Sequence, residues 1–355
     1  MLMRRRVDDG GLTVAPATRA AFDEAVLAAD PRHHFLRHAW FAAGSKAQMQ
    51  AITVRRADGS PLAVFPRVRR KIGPARVSEV PGSYWPFRSI PIAADAAPDE
   101  VAAALSHDAV RAFLGPVWRL GPVFSDDPAL RCISAAASEA GWTMLVRKLG
   151  TCFEFDFAAL RAEGPWPRTS SQASNRRRER KLAALGSIEY RFLSGHEWTD
   201  ADRDAMALVE ERSWLPGIGA EAAPKFLDPA RRRMWEQAAE DPVLAGMMFC
   251  SLMIVGGEPA AFAFGVEAGG VRHCIANSYS RRFAQHGPGK LLLYKDFERA
   301  ADRGVARVNW GSGDAGYKSE MGASAGADIV DLLLARGPAL ALPLRRFWTR
   351  ATPSS

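Results

Sequence analysis

Cysteine is scarce in this chain, and its few cysteines follow no metal-binding or disulfide pattern. Four occur in 355 residues, at Cys132, Cys152, Cys250 and Cys274. They lie singly, in no C-x-x-C pair and with no histidine at ligand spacing, and the last two lie in apolar, strand-like sequence. We therefore expect reduced packing residues, and neither a disulfide nor a metal site.

Long hydrophobic runs are also lacking. The longest apolar stretch, GMMFCSLMIV, ends after about ten residues, whereas a bilayer-spanning helix needs roughly 18. The basic start MLMRRRVDDGG leads into no hydrophobic signal region. These absences predict a soluble, cytoplasmic protein that does not insert into membranes.

Apolar residues and positive charge are both well represented. Apolar side chains make up 48% of the chain, enough for a sizeable core. Lysine and arginine (47) outnumber acidic residues (39), and the net charge is +8. This excess suits a polyanionic ligand, although each basic cluster taken alone is more typical of a solvated face. The clusters are Arg4 to Arg6, Arg67 to Lys71, Arg176 to Lys181 and Arg231 to Arg233.

Helix and strand signals alternate along the chain and predict a mixed α/β protein with hairpins as well as crossovers. Asp58-Gly59 joins two strand-like runs as a hairpin, and Gly256-Gly257 and Gly269-Gly270 join three later runs as an antiparallel meander. The Gly-, Pro- and Ser-rich segment 161–174 predicts a boundary between two lobes. We place the lobes at 1–165 and 166–340, with a C-terminal tail at 341–355. Ser174 is expected to cap a basic helix that starts the second lobe.

A glycine turn follows the meander directly. Gly287, Pro288 and Gly289 precede a helix whose apolar residues recur at helical spacing, and the strand VARVNWG comes next. Unpaired N–H groups at a helix start and the helix dipole favour an anion, and glycine lets a phosphate approach closely. An ordinary Pro-Gly helix start explains the same spacing, so the pattern alone leaves both readings open.

The order of meander, glycine turn, long helix, strand and Tyr-containing segment resembles the GNAT acyltransferases. The matching blocks are SNRRRERKLAALG, EERSWLPGIG, ANSYSRRFAQHGPGKLLLYKDFERAADRG and GSGDAGYKSEMG, which span about Ser174 to Ala323. They look like the CelD-type branch, which is related to Fem-type transferases. The resemblance implies two tandem GNAT-like lobes, each a mixed, largely antiparallel sheet flanked by helices. The first lobe has no G-x-G before Gly150 and is expected to be degenerate, a scaffold and acceptor wall. Its aromatic segment Tyr84 to Phe87 is a candidate lining of that wall, although core packing is the default for such a run.

The resemblance also implies a reaction and its residues. An acyl group, expected to be acetyl, passes from acyl-CoA to an amine such as an amino sugar or a cell-surface polysaccharide precursor. Tyr317 is expected to donate a hydrogen bond to the departing thiolate, and Asp314 or His286 to accept a proton. The remaining expected contacts are Arg282, Gln285, Gly287, Gly289 and Lys290 for CoA, and Trp214, Tyr279 and Lys318 for the acceptor.

Two alternatives to this reading remain at this point. The basic run Arg176 to Lys181 suits either the 3′-phosphate of CoA or a tRNA, which would make the protein an aminoacyl-tRNA-dependent transferase. No charged heptad insertion of the kind found in tRNA-dependent Fem-type relatives is present, which favours CoA. The second alternative is a non-catalytic protein that binds CoA or another polyanion.

Overall fold

The computed structural model describes residues 11–43, 49–72, 75–82, 87–213, 224–314 and 316–348. Its strands are β1 (Thr13–Pro16), β2 (Gln50–Arg55), β3 (Pro61–Ile72), β4 (Ala75–Glu79), β5 (Val117–Phe124), β6 (Trp142–Asp156), β7 (Ile188–Ser194), β8 (Met248–Val255), β9 (Glu258–Ala268), β10 (Val271–Tyr279), β11 (Arg307–Ser312) and β12 (Ser324–Arg336).

The α-helices of the same residues are α1 (Arg19–Ala28), α2 (His38–Ala42), α3 (Pro98–Ser106), α4 (Asp108–Leu114), α5 (Pro128–Ala136), α6 (Phe157–Glu163), α7 (Thr169–Ala183), α8 (Asp200–Glu211), α9 (Pro229–Ala239), α10 (Pro242–Met247), α11 (Pro288–Asp302), α12 (Tyr317–Met321) and α13 (Pro338–Trp348). None of the helices in these ranges is both long and apolar enough to cross a membrane. The predicted mixed α/β class is confirmed.

The chain divides into two compact units, residues 1–151 with 327–355 and residues 152–326. In the first unit the strand order is β1-β2-β3-β4-β5-β12. These neighbours pair antiparallel, except that β4 and β5 are parallel. The predicted hairpin at Asp58-Gly59 is confirmed, since Gly59 has a positive φ between β2 and β3.

In the second unit the order is β6-β11-β10-β9-β8-β7, to which β6 contributes its last residues. Strands β8, β9 and β10 form the predicted antiparallel meander, and all four glycines of its two turns have positive φ. Strands β10 and β11 are parallel, because α11 carries the chain from the end of one back to the start of the other.

Three expectations from the sequence differ from the structure. The sequence predicts two strands, near Trp142 to Val146 and Cys152 to Phe157, whereas the structure has the single strand β6. Helix α7 begins at Thr169 with Arg168 as its N-cap residue, so Ser174 lies inside the helix and does not cap it. The expected tail at 341–355 overlaps α13, whose Leu340, Leu344 and Trp348 pack against Val77, Val117 and Leu333.

The compact units also differ in extent from the predicted lobes. The boundary falls between Thr151 and Cys152, and the chain after Gly326 belongs to the first unit because β12 pairs with β5. The division of the chain into two GNAT-like lobes between residues 165 and 166 stays a prediction.

The core of the second unit lies between α11 and the meander. Leu293, Phe297 and Ala300 of α11 pack against Phe249 and neighbouring sheet residues. An ion pair also crosses this core: Asp296 of α11 pairs with Arg272 of β10, and both are almost fully buried. The helix is therefore fixed to the sheet by apolar packing and by a buried ion pair.

Candidate active site at the opening between β10 and β11

The two parallel strands of the second unit separate at their carboxyl ends. Val271 to His273 pair with Arg307 to Asn309, and no further pairs of β10 with β11 occur among the described residues. Strand β10 nevertheless continues to Tyr279, with a bulge after Cys274. Ligands of parallel sheets bind beyond the carboxyl ends of the strands. We refer to this place, between residues 274–279 of β10 and 310–312 of β11, as the β10–β11 opening.

The first unit has a parallel pair of the same kind, but its opening is filled by the chain itself. Beyond the pairing of Glu79 with Arg119, Arg88 exchanges backbone hydrogen bonds with Gly121 and Pro122 of β5. A few residues on, the Val64 N–H of β3 donates to the Pro91 carbonyl. Because residues 88–91 pair with β5 on one side and with β3 on the other, the chain itself occupies the place beyond this pair.

Helix α11 starts at the β10–β11 opening. A 3-10 helix, Arg281–His286, ends at Gly287, which adopts the left-handed conformation with φ 60° and ψ 49°. Pro288 follows as the first helical residue, and no acidic side chain lies in the first turn. The unpaired N–H groups of this turn and the helix dipole make the place favourable for an anion.

Glycine is needed in this turn because two side chains lie against it. A Cβ atom on Gly287 would lie 3.1 Å from Arg178 Nε, and one on Gly289 would lie 2.9 Å from Tyr279 Cδ1. The sequence explains these glycines by the space that a phosphate needs. The structure adds a second explanation, which is that the side chains of Arg178 and Tyr279 occupy the space a Cβ atom would need. Any side chain at 289 must displace the Tyr279 ring, and any at 287 must displace Arg178 and adopt a positive φ.

Two cations flank the start of α11. Arg178 reaches the turn from α7, where its Nη1 donates to Asn175 Oδ1 at 2.8 Å. Lys290, in the first turn itself, pairs with Glu320 of α12 at 2.5 Å, and this contact lowers the pKa of Glu320. A partly buried arginine, a lysine and a helix N-terminus thus converge on one spot, which is the donor set that phosphate oxygens require.

Tyr317 begins α12 on the other side of the opening. Its ring packs edge-on against Trp310, with centroids 5.1 Å apart. Burial raises the pKa of Tyr317 to about 12, and a hydrogen bond with the side chain of Asn277 on β10 opposes this rise. The phenol is therefore protonated at neutral pH and able to donate a hydrogen bond.

Lys318 and Asp314, two predicted site residues near Tyr317, form hydrogen bonds within the protein. The Lys318 ammonium is buried and donates to the carbonyls of Trp310, Gly311 and Ser312 at 2.8, 3.2 and 3.1 Å, which fixes the end of β11. Asp314 is exposed and accepts hydrogen bonds from Gly316 N–H and from Ser319, and the Ser319 contact lowers the pKa of Asp314. A carboxylate held in this way is a weaker base than a free one.

Of the remaining predicted site residues, some lie at the glycine turn and others lie away from it or outside the described residues. His286 lies directly before Gly287, and both of its ring nitrogens are buried with no hydrogen-bond partner in the part of the chain that is described. Gln285 is exposed, and Arg282 points to a carboxylate outside the turn, that of Glu258. Tyr279 contacts the turn through Gly289, whereas Trp214 lies outside the described residues, as do Tyr84 to Pro86 of the expected acceptor wall.

Sequence reasoning did not single out Asn277, Glu320 or the distinct position of Arg178 within its basic run. Asn277 carried a usable signal, because it precedes Tyr279 by two residues and so shares a strand face with it. From the sequence, Glu210, which precedes Trp214 on a helix, is interpreted as a surface carboxylate. In the structure Glu210 is buried and accepts hydrogen bonds from the backbone N–H groups of Lys225, Phe226 and Leu227, each at 2.8 Å. That interpretation was wrong, because no local pattern shows that a later loop folds onto α8.

Comparison with known families agrees with this geometry. Residues 170–319 match the model of the acetyltransferase (GNAT) domain. These residues, which belong to the second unit, are therefore similar to a GNAT acetyltransferase domain. The glycine turn, α11, β11 and Tyr317 all lie within the matched residues, whereas residues 1–169 lie outside the match. No curated protein sequence matches the chain.

Solved structures with the same fold include FemX, at 13% identity and a TM-score of 0.62, covering 94% of this chain and 99% of that one. A conserved protein of unknown function from Bacteroides thetaiotaomicron VPI-5482 has 12% identity and a TM-score of 0.57, over 91% and 99% of the two chains. A C-terminal domain of a putative lysylphosphatidylglycerol synthetase from Agrobacterium fabrum has 12% identity and a TM-score of 0.52, over 95% and 98%. At these identities the likeness shows the fold, which extends over both units, and no more.

Proposed function

We propose that the protein transfers an acyl group from acyl-CoA to an amine, at the β10–β11 opening of the GNAT domain. The observation that carries this proposal is the convergence of the α11 N-terminus, Arg178 and Lys290 on one side of the opening with the Tyr317 hydroxyl on the other. The first group suits a pyrophosphate, and the second suits a leaving thiolate.

In this proposal each group acts at a stated atom. The amine nitrogen bonds to the thioester carbon while the carbon–sulfur bond breaks, and Tyr317 donates a hydrogen bond to the sulfur as negative charge develops there. His286, whose nitrogens have no protein partner among the described residues, is the candidate that accepts the amine proton, directly or through water. Lys318 acts as a positioning residue, since its ammonium holds the end of β11 beside Tyr317.

The same proposal includes three finer points that rest on the sequence resemblance. They are that the acyl group is acetyl, that the acceptor is an amino sugar or a polysaccharide precursor, and that the protein belongs to the CelD-type branch. So does a cytoplasmic location. Asp314 as a base and Lys318 as an acceptor contact stay predictions, but the structural contacts of both residues favour His286 and Tyr279 in those roles.

Binding of CoA is tested first at the cations. Arg178→Gln removes a charge beside Gly287 without changing the glycine turn, and we expect it to weaken acetyl-CoA binding about tenfold, ~1.4 kcal/mol, by calorimetry. Arg303→Gln is the matched control, because Arg303 is exposed and pairs with Glu267 at the opposite end of α11 from the turn. Equal affinities for the wild type and Arg178→Gln would overturn the placement of the pyrophosphate.

An aminoacyl-tRNA donor is the second candidate, and one observation favours it. Arg176, Arg177, Arg180 and Lys181 of α7 are all exposed, so a basic helix face remains free for a large polyanion. If tRNA is the donor, its binding should be saturable at physiological salt and fall steeply as salt rises. We expect no such complex; its detection, together with loss on Arg176→Gln/Arg177→Gln, would replace acyl-CoA as the donor.

A further inference from the structure

The last helix of the first unit, α13, presents an unusual set of residues to its surroundings. Its inner side packs against the apolar cluster of Val77, Val117 and Leu333. The exposed residues of the helix are Pro338, Ala339, Leu342, Pro343, Arg345, Arg346 and Phe347. Every one of them is either apolar or an arginine, whereas the outward face of a helix on a globular protein ordinarily carries a polar and charged surface.

The apolar part of this outward face is large and continuous. Leu342 and Phe347 are 69% and 73% exposed, the highest values among the exposed large hydrophobic residues that the structure describes. At about 3.6 residues per turn, Ala339 and Pro343 fall between them on the outward arc of the helix. Single exposed apolar side chains are ordinary on a protein surface, but a grouped patch of this kind marks an interaction site.

The charge on the same face has one sign. Arg345 and Arg346 are both exposed, and the helix sequence PALALPLRRFW contains no acidic residue. At helical spacing Arg346 falls within the apolar arc and Arg345 just outside it. The long aliphatic stem of an arginine can follow an apolar surface while its guanidinium reaches a polar one. The partner of this face must therefore combine an apolar interior with negative charge at its surface.

A second copy of the chain fits this requirement poorly. A two-fold symmetric contact places the same patch of both copies against each other. It would set Arg345 and Arg346 against the same two arginines of the other copy, with no acidic residue of either helix to pair them.

An anionic lipid surface meets both parts of the requirement. Acyl chains receive Leu342 and Phe347, and the headgroups pair with the two guanidinium groups. Arginine on a helix together with exposed Leu and Phe is typical of helices that lie in the plane of a membrane surface. We propose that α13 binds the surface of an anionic lipid bilayer, with its inner side still packed on the sheet and its outward face in the headgroup region.

This inference does not rest on the proposed function. Helix α13 belongs to the first unit, whereas the groups proposed to hold CoA lie in the second. Failure of CoA binding would leave the lipid contact standing, and absence of the lipid contact would leave acyl transfer standing.

The test is flotation of the full chain with vesicles of phosphatidylcholine mixed with phosphatidylglycerol. Vesicles of phosphatidylcholine alone are the uncharged comparison. We expect binding to the mixed vesicles that weakens as salt rises, and binding to the uncharged vesicles that is at least about tenfold weaker. Arg345→Gln/Arg346→Gln should weaken binding to the mixed vesicles at least about tenfold, because each basic residue near an anionic surface contributes about fivefold.

A second variant tests the apolar contribution. Leu342→Ser/Phe347→Ser keeps both arginines, and we expect it to weaken binding to the mixed vesicles at least about tenfold. Leu27→Ser is its matched control, because Leu27 is 62% exposed on α1 of the same unit. Arg176→Gln/Arg177→Gln is the charge control, because these exposed arginines of α7 form another basic surface that a vesicle could contact. Both controls should bind as the wild type does.

The outcomes separate the proposal from its alternatives. The substituted residues of α13 are exposed, so the melting temperatures measured by circular dichroism should stay close to that of the wild type. If the serine variant does not fold, the arginine variant decides the question alone. No binding to the mixed vesicles, equal binding of the wild type and the α13 variants, or equal loss on Arg176→Gln/Arg177→Gln overturns the proposal. A dimer in sedimentation experiments that dissociates in Leu342→Ser/Phe347→Ser would assign the face to a second copy and overturn it as well.

Discussion

Two adjacent residues at the start of α12 have different surroundings. The Tyr317 hydroxyl hydrogen-bonds with the side chain of Asn277 on β10, whereas the Lys318 ammonium donates to three backbone carbonyls at the end of β11. The tyrosine therefore keeps a donor that a thiolate can use. The Lys318 ammonium donates its hydrogen bonds to the end of β11, so we expect substitution of Lys318 to lower the stability of the fold.

Tyr317→Phe removes this hydroxyl and keeps the ring that packs on Trp310. A donor to a developing thiolate acts mainly in the transition state, so turnover should fall roughly 10²-fold while acetyl-CoA affinity stays the same. Steady-state kinetics and calorimetry on the same preparation measure both quantities. Unchanged turnover would return Tyr317 to a packing role and leave His286 or a water molecule as the donor.

The pH dependence of the wild type provides a second check on Tyr317. Burial raises its pKa to about 12, so the phenol stays protonated where an ordinary tyrosine begins to ionise, near pH 10. The folded state therefore binds this proton more tightly than the unfolded chain, and the stability that results is lost as pH rises from about 10 to 12. Ultraviolet titration should show the tyrosinate signal of Tyr317, identified by its absence in Tyr317→Phe, appearing only above the pH near 10 at which an ordinary tyrosine ionises.

At the scale of elements, helix α11 has two roles. Its N-terminus lies at the β10–β11 opening, and its apolar face packs in the core of the second unit. Its N-terminus lies beside Tyr279 and Arg178, and its middle is held by the buried pair of Asp296 with Arg272. The Ser251 hydroxyl donates to the same carboxylate from β8. The position of the anion site thus depends on a contact two turns away from it.

Asp296→Asn tests this dependence. It removes one of the two carboxylates that pair with the buried Arg272 and leaves Glu267 as the other, so we expect the free energy of unfolding to fall by about 2–3 kcal/mol in urea titrations. Asp302→Asn, at the exposed end of the same helix, is the matched control and should change stability by less than about 0.5 kcal/mol. A similar, small effect of both variants would mean that apolar packing alone holds α11 in place.

At the scale of the whole molecule, the first unit is completed by the C-terminal end of the chain. Strand β12 pairs with β5 from Ile329 to Ala335, and α13 then covers Val77, Val117 and Leu333. An expressed fragment of residues 1–165 lacks both elements. We expect it to be unfolded or aggregated by circular dichroism and gel filtration, because an unpaired β5 edge and an exposed apolar face remain. Cooperative unfolding of this fragment would show that the predicted first lobe is self-sufficient.

The sequence by itself determined the elements and their order. Local signals fixed the hairpin at Asp58-Gly59, the meander glycines and the start of α11, because turn and helix-start chemistry depends on neighbouring residues. Only the tertiary structure decided which distant groups meet: Arg178 at Gly287, Asn277 at Tyr317, and Glu210 under a later loop. It also decided that β12 returns to the first unit. These contacts join residues far apart in the chain, and they form only when strand pairing and core packing bring the elements together, so no window of the sequence contains them.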